Sequence, residues 1–160
     1  MKKYSIEIKW AIIFAVTTLV WMFLEKLVGL HSEHIDKHSI YTNFIAIPAI
    51  IIYVLALLDK RKNFYSGIMT YKQGFVSGLI ITLIVTVLSP LTQFITSTII
   101  TPEYFPNVIK HVVSHELMKQ EEAEKFFNLN AYIVQGLIGA FVMGLITTAI
   151  VAIFTRRKAK

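Results

Sequence analysis

The sequence predicts an all-α integral membrane bundle of four transmembrane helices, with a short helical exterior cap between spans three and four. Hydrophobic residues make up 55% of the 160 residues, and the mean hydropathy is +0.61, which is too apolar for an ordinary soluble domain of this length. Charged residues make up only 16%, against about a quarter in soluble domains, and they are clustered. Four uncharged or nearly uncharged stretches have about the 20 residues that a helix needs to cross the hydrocarbon core.

These stretches belong to a single membrane domain, residues 1–160, and the predicted spans are residues 10–30, 40–58, 73–100 and 131–155. A segment inside lipid must satisfy its own backbone hydrogen bonds, so each span is expected to be helical. The first three residues resemble the basic start of a signal peptide, but the apolar run continues past Trp21 and no Ala-x-Ala cleavage site follows. We therefore expect the first span to be retained.

Two prolines lie inside the predicted spans, Pro48 in the second and Pro90 in the third. Proline lacks the backbone N–H donor, so each is expected to kink its helix. A static bend and a moving hinge are both open at these positions.

The segment between the third and fourth spans, residues 101–130, is long and patterned. Thr101-Pro102-Glu103 predicts a helix start, because proline is favoured in the first turn and an acidic side chain complements the helix dipole. The stretch "KQEEAEKFF", which starts at Lys119, predicts a second short helix. We expect the two helices to form a cap on the outer membrane surface.

Lysine and arginine residues predict the orientation, because cytoplasmic flanks of membrane spans carry an excess of them. Eleven of the sixteen flank one side of the predicted spans: Lys2, Lys3, Lys9, Lys60, Arg61, Lys62, Lys72, Arg156, Arg157, Lys158 and Lys160. The other side holds Lys37, Lys110, Lys119 and Lys125, and Lys26 lies just inside the membrane there. Both termini are therefore predicted to be cytoplasmic. The net charge of +6 then reflects topology, and nucleic acid is not an expected partner.

Small residues recur along spans three and four at intervals of about one helical turn. Gly74 and Gly78 have GxxxG spacing, and Gly136, Ala140 and Gly144 continue the pattern in span four. Such faces let membrane helices approach closely. The pattern leaves open helix packing within the chain, a homodimer or membrane-protein partner, and a pore-lining face.

Four polar residues fall within the predicted spans: Glu25, Asn43, Gln93 and Gln135. At about 1.5 Å of rise per residue, all four lie in the outer half of the bilayer. No inner-half position of the predicted spans carries a carboxylate. An ionisable residue inside a membrane span is costly and is a candidate for function, so Glu25 is the first candidate. Contact with interfacial water or with a neighbouring helix is the alternative.

The stretch "HSEHIDKH" holds His31, His34 and His38, which share one face if the chain is helical there. His111 and His115 lie four residues apart in the exterior segment. Neutral imidazoles bind zinc, copper and nickel, so the five histidines could form an outward-facing metal site above Glu25. Three acidic residues would add to this ligand set: Glu33, Asp36 and Glu116. A pH sensor and a hydrated helix end are the alternatives.

Several classes of active site are excluded. The chain has no cysteine, so disulfides, thiolate catalysis and iron–sulfur clusters are excluded. "HVVSHE" lacks the HExxH pattern of zinc proteases, and Gly74-Phe-Val-Ser-Gly78 is not the GxSxG of a nucleophile elbow. We therefore expect no conventional enzyme, and no cofactor other than a divalent transition metal.

Four stretches together resemble a bacterial membrane family known as domain of unknown function 4199. They are "FLEKLVGLHSEHI", "YTNFIAIPAIIIYVLALLDKRKNFYSGIMTYKQGFVSGLIITLI", "SPLTQFITSTIITPEYFPNVIK" and "EEAEKFFNLNAYIVQGLIGA". The resemblance covers nearly the full length. It implies a small multi-span protein of the cytoplasmic (inner) membrane in Bacteroidota-type bacteria, and it brings no activity, substrate or catalytic residues.

Two functional hypotheses follow. The first is a noncatalytic membrane protein that acts through helix–helix contacts, as an accessory or oligomeric protein. The second is a small transporter, or an ion- or metal-binding protein. It would have an outward-facing polar vestibule below the histidines, formed by Glu25, Asn43, Gln93 and Gln135. A metal-dependent membrane enzyme at the histidines is a third, weaker hypothesis.

Overall fold

A computed structural model describes residues 3–157 of the chain. Within this range the chain forms seven α-helices: α1 Ser5–Leu27, α2 Ile35–Tyr41, α3 Ala46–Asn63, α4 Tyr71–Ile95, α5 Tyr104–Ser114, α6 Gln120–Phe126 and α7 Leu129–Thr155. A 3₁₀ turn, Thr42–Ile45, joins α2 to α3, and a π-helical turn, Thr96–Ile100, extends α4. The all-α prediction is confirmed over the described residues.

Four helical segments are long and apolar enough to span a membrane: Ser5–Leu27, Ile35–Asn63, Tyr71–Ile100 and Leu129–Thr155. The first begins five residues before the predicted span and ends three residues before its predicted end. The early end has a local cause, because Gly29 adopts a positive φ of 77° that a continuing helix cannot contain.

The segments alternate in direction, so the bundle has two distinct ends. We call one end the terminal end, because the described chain begins and finishes there. At this end, Met69 and Arg157 exchange backbone hydrogen bonds, and Arg61 donates to the carbonyl of Thr155. At the cap end, α2, α5 and the start of α7 meet around Tyr104. Three of the basic residues counted for orientation, Lys2, Lys158 and Lys160, lie outside the described residues.

The outer surface of the four spans is apolar. Large hydrophobic side chains there remain highly exposed, with Val87 at 76% and Phe154 at 78%. Lipid is the solvent in which such a surface is stable. The interior is a small core to which every span contributes: Ala11, Tyr53, Ala56, Leu57, Ile81, Val85, Val151 and Ala152.

Glycines place α4 and α7 in close contact. A Cβ at Gly78 would lie 2.5 Å from Cγ2 of Thr148, and a Cβ at Gly144 would lie 2.6 Å from Cγ2 of Thr82. Thr82 also shares hydrogen bonds with Thr148 and with the hydroxyl of Tyr53. On each of the two helices, a glycine therefore makes room for a threonine of the other helix. Small residues allow this close approach of helices inside a membrane.

The other members of the small-residue pattern differ. Gly74 packs against Ala152 of α7, and Ala140 packs against the core. Gly136 has no atom within 4 Å of the position that a Cβ would take. It therefore does not form part of the tight contact between α4 and α7.

The two prolines sit in different local settings. Pro90 lies inside α4 and cannot donate to the carbonyl of Thr86, but the hydroxyl of Ser89 donates to that carbonyl at 2.8 Å. Pro48 lies in the first turn of α3, directly after the 3₁₀ turn. A side-chain hydroxyl that donates in place of the missing N–H, and a local change from α-helix to 3₁₀ helix, are both ways in which a membrane helix accommodates proline. The hinge hypothesis stays a prediction.

The segment between the third and fourth spans is helical, with α5 beginning at Tyr104 and α6 at Gln120. Tyr104 and Val108 of α5 are buried against the cap end of the bundle. The α6 helix carries Glu121 and Glu122 in its first turn and is largely exposed. This cap closes over the C-terminal end of α1, where Glu25 lies.

Candidate metal centre

A tight turn brings the first histidine back onto the end of α1. The N–H of Leu30 donates to the carbonyl of Glu25, and the N–H of His34 donates to the carbonyl of Gly29. The backbone of Gly29 lies in the left-handed region, which a residue without a Cβ adopts at little cost. As a result His31 lies over the last turn of α1 with only 3% of its surface exposed.

Glu25 is the centre of a buried cluster and is itself 3% exposed. One carboxylate oxygen, Oε1, accepts a hydrogen bond from the indole N–H of Trp21. The other, Oε2, lies 3.1 Å from Nε2 of His31 and 3.3 Å from Nε2 of His38. Two imidazoles from different segments therefore meet at one carboxylate oxygen, and we call Glu25, His31 and His38 the Glu–His cluster.

The cap holds both imidazoles in place. The hydroxyl of Tyr104 lies 3.4 Å from Nδ1 of His38 and 3.1 Å from the hydroxyl of Tyr132. Asn107 donates from its side-chain amide to the carbonyl of His31 at 2.9 Å. Burial, and then the neighbouring Tyr132, raise the pKa of the Tyr104 phenol, so Tyr104 acts as a neutral hydrogen-bonding hydroxyl.

Two nitrogens of the cluster are buried without a hydrogen-bond partner in the described part of the chain: Nδ1 of His31 and Nε2 of His38. The Nε2 atom of His38 is within ion-pair distance of Glu25, but its direction does not make a hydrogen bond. Buried polar atoms are normally satisfied, so an unsatisfied nitrogen beside a carboxylate needs an explanation. A bound cation would explain the Nε2 atom of His38, because it accepts lone pairs from that nitrogen and from the carboxylate of Glu25. It does not explain Nδ1 of His31, because that imidazole faces Glu25 with its other nitrogen, Nε2.

The spacing of the donor atoms fits a small transition-metal ion. One ligand atom from each of Glu25, His31 and His38 lies within 4.8 Å of the others. Zinc binds nitrogen and carboxylate oxygen at about 2.0–2.2 Å, which separates neighbouring ligands of a tetrahedral site by roughly 3.3 Å. The two distances to Oε2 of Glu25, 3.1 and 3.3 Å, match that separation. A fourth coordination position is left open.

The structure separates the predicted five-histidine set. His34 directly precedes α2 and is exposed. The three histidines do not share one helix, because α1 ends at Leu27 and α2 begins at Ile35. His111 and His115 contact each other with their rings tilted by 39° and the ring centroids 4.3 Å apart, outside the Glu–His cluster. The three added acidic residues are all exposed: Glu33, Asp36 and Glu116.

The other polar residues predicted inside the spans do not join Glu25. Asn43 lies in the 3₁₀ turn, is exposed, and donates to the carbonyl of Ser39 in the preceding helix α2. Gln93 is half-buried and donates to the hydroxyl of Ser97. Gln135 is exposed on α7. The predicted vestibule of four polar residues is therefore not formed around Glu25.

A second buried charge cluster lies at the terminal end, around Glu7, which precedes the predicted first span. Glu7 is 1% exposed and pairs with Lys60, whose Nζ lies 2.8 Å from Oε1. Ser77 donates to the same carboxylate at 2.8 Å, and the carbonyl of Lys3 accepts from Lys60 at 2.9 Å. Glu7 belongs to α1 because the helix begins at Ser5, before the predicted span of residues 10–30.

Four residues around Glu25 were missed. Trp21 was within reach of sequence reasoning, because it lies one helical turn before Glu25. The other three lie on α5 and α7: Tyr104, Asn107 and Tyr132. No spacing in the sequence links these residues to Glu25 or to the turn at Gly29.

Comparison with known proteins identifies the family of the chain. A family model described as a protein of unknown function (DUF4199) matches residues 9–157, which is nearly the whole chain. No curated protein and no solved structure matches it.

Proposed function

We propose that this protein, which belongs to the DUF4199 family of proteins of unknown function, is a noncatalytic membrane protein. It binds one divalent transition-metal ion at its cap end. The ligands are Glu25, His31 and His38. The observation that carries this proposal is that Nε2 of His31 and Nε2 of His38 meet at one buried carboxylate oxygen, and that Nε2 of His38 has no hydrogen-bond partner among the described residues.

The donor chemistry favours zinc or a similar borderline metal. Two imidazole nitrogens and one carboxylate suit zinc, while magnesium and calcium prefer oxygen ligands alone. Tyr104 would act on His38 through Nδ1, the nitrogen that does not face Glu25. Such outer partners orient metal-binding histidines and usually contribute about 10- to 100-fold to affinity. In this arrangement the carboxylate of the cluster is used as a ligand, which leaves it unavailable as a general base.

The test is a metal titration of the detergent-purified protein after chelation, with zinc and with cobalt(II), whose absorption reports the coordination. We expect one tightly bound ion per chain. The variants Glu25→Gln, His31→Ala and His38→Ala should lose affinity by more than about 100-fold, and Tyr104→Phe by about tenfold. Far-ultraviolet circular dichroism checks that each variant keeps its helical content.

The histidines that the structure places elsewhere provide matched controls. His34→Ala lies in the same sequence motif, and a double His111→Ala, His115→Ala variant removes the pair on α5 outside the Glu–His cluster. Both variants should bind metal like the wild type. An equal loss in His34→Ala would show that the motif binds in another conformation. Absence of stoichiometric binding by the wild type would refute the proposal.

We also propose that the protein lies in a bacterial inner membrane with both termini in the cytoplasm, so that the Glu–His cluster faces outward. The support is the distribution of lysine and arginine, eleven of sixteen on the terminal side of the spans. The family resemblance supports the choice of membrane.

The absence of native cysteine makes the orientation directly measurable. A single cysteine at Glu122 in α6 should react with a membrane-impermeant maleimide in spheroplasts, which have lost the outer membrane barrier but keep an intact inner membrane. A single cysteine at Ser66, in the loop between α3 and α4, should react only after permeabilisation. The reverse pattern would invert the proposed orientation, and labelling of both sites from one side would contradict the four-span topology.

An accessory or oligomeric role through the small-residue faces has less support. Gly74, Gly78 and Gly144 are already packed against side chains of the same chain. A partner that used these faces would have to displace the contact between α4 and α7. A partner at another surface is compatible with the metal proposal.

A further inference from the structure

A cavity of about 170 Å³ lies between α1, α4 and α7, within the membrane-spanning part of the bundle. Apolar side chains that include Phe14 and Val85 form part of its wall. Gly136 lines it as well, and a Cβ at that position would meet nothing within 4 Å. The missing side chain therefore contributes directly to the empty space.

Three hydroxyl side chains line the same cavity, and each has already used its proton. Thr18 donates to the carbonyl of Phe14, Ser89 to that of Thr86, and Thr92 to that of Ser89, at 3.1, 2.8 and 3.0 Å. A hydroxyl that donates to the backbone retains lone pairs that can accept. To a molecule in the cavity these three side chains offer acceptors and no donors.

Gln93 adds an amide to the wall of the cavity. Its side-chain nitrogen donates to the hydroxyl of Ser97 at 2.9 Å, and the structure shows no partner for its side-chain oxygen among the described residues. A primary amide has two N–H donors and one acceptor oxygen, so one donor and the oxygen remain for a ligand. The polar side of the cavity therefore matches a ligand group that can both donate and accept a hydrogen bond. Because acceptors outnumber donors in the wall, donation by the ligand is favoured.

We propose that this cavity binds a small, largely apolar molecule with one hydroxyl group, of the phenol type, that enters from the membrane. A molecule of this class places its ring against Phe14 and Val85 and donates its proton to the acceptors around Gln93. The size agrees, because an apolar protein cavity of about 150 Å³ binds benzene. The location agrees as well, since such compounds partition into bilayers.

This site is separate from the Glu–His cluster and does not depend on a metal. The two sites have no lining residue in common. Binding at one can therefore be tested without knowledge of the other.

The experiment compares two probes of nearly the same shape, 4-fluorophenol and 4-fluorotoluene, by fluorine NMR with the purified protein in detergent micelles. The hydroxyl of the first is replaced by a methyl group in the second, so the pair isolates the hydrogen bond. We expect a saturable signal for 4-fluorophenol and an affinity about five- to tenfold higher than that of 4-fluorotoluene, the effect of one net hydrogen bond. Partition into the micelle is measured with a variant in which the cavity is filled.

Gly136→Leu fills the cavity and should abolish the saturable signal for both probes. Its control is Gly139→Leu, because Gly139 also has open space around it but does not line the cavity. Gln93→Met should remove the preference for the phenol while the cavity remains, and Gln135→Met on the outer surface should change nothing. Gly136→Ala, which narrows the cavity less, serves if the leucine variant loses its helical content.

Two results would overturn the proposal. Equal saturable binding of the two probes would show that the cavity is only an apolar space and that the acceptors play no part. Signals that are the same in wild type and in the folded Gly136 variants would show that neither probe enters the cavity.

Discussion

Replacement of Lys60 with methionine is expected to lower the free energy of unfolding by about 3–5 kcal/mol. Lys60 and Glu7 are both almost fully buried, and the ammonium group contacts the carboxylate, the carbonyl of Lys3 and the face of Phe64. Methionine keeps most of the side-chain volume but leaves the carboxylate of Glu7 buried without a counter-ion. The measurement is equilibrium unfolding of the purified protein in mixed micelles, followed by circular dichroism.

A second substitution separates this cause from a loss of packing. The double variant Glu7→Gln, Lys60→Met removes both charges and should recover most of the lost stability, because no charge is then left buried without a counter-ion. The exposed pair of Lys125 and Glu121 on α6 is the control, and Lys125→Met should cost less than about 0.5 kcal/mol. A double variant as unstable as Lys60→Met alone would rule out the buried charge as the cause.

Alanine at Gly78 is expected to destabilise the protein by about 1–3 kcal/mol, although it adds only one methyl group. That methyl group would lie 2.5 Å from Cγ2 and 2.8 Å from Oγ1 of Thr148, so α4 and α7 would have to move apart. The movement would also strain the hydrogen bond between Thr82 and Thr148. The same unfolding measurement in micelles detects the change.

The chain supplies a close control for this substitution. Gly139→Ala on α7 meets nothing within 4 Å, so it should be neutral or stabilising by up to about 1 kcal/mol, the ordinary gain of alanine over glycine in a helix. Thr148→Ala should partly rescue Gly78→Ala, because it removes the two nearest atoms. If the changes at positions 78 and 139 have equal effects, the close contact between α4 and α7 does not limit stability.

The spans could be predicted from sequence because their signal is one of length and composition. A run of apolar residues identifies a membrane helix regardless of its neighbours in space. The predicted positions of the helix ends were less accurate. A polar residue such as Glu7 can belong to a buried helix when another span supplies its partner. Lys60 is that partner, and the pair is formed only after α1 and α3 pack together.

The candidate site was only partly predictable for a related reason. The sequence singled out Glu25 and a nearby group of histidines, which is a local signal. The choice of His31 and His38 over His34 depends on the turn at Gly29, which ends α1 and reverses the chain. The contribution of Tyr104 depends on how the cap folds back over α1, and helical periodicity holds no information about that contact.

Glu7 and Glu25 lie 18 positions apart on α1, which is about five full turns at 3.6 residues per turn. The two buried carboxylates therefore project from one side of the helix, and each is held by polar partners at its own end of the bundle. Rotation of α1 about its axis by one residue, about 100°, would carry both carboxylates toward lipid at once. The contacts at both ends therefore hold α1 in one rotational register, because a rotation would break the contacts of Glu7 and of Glu25 together.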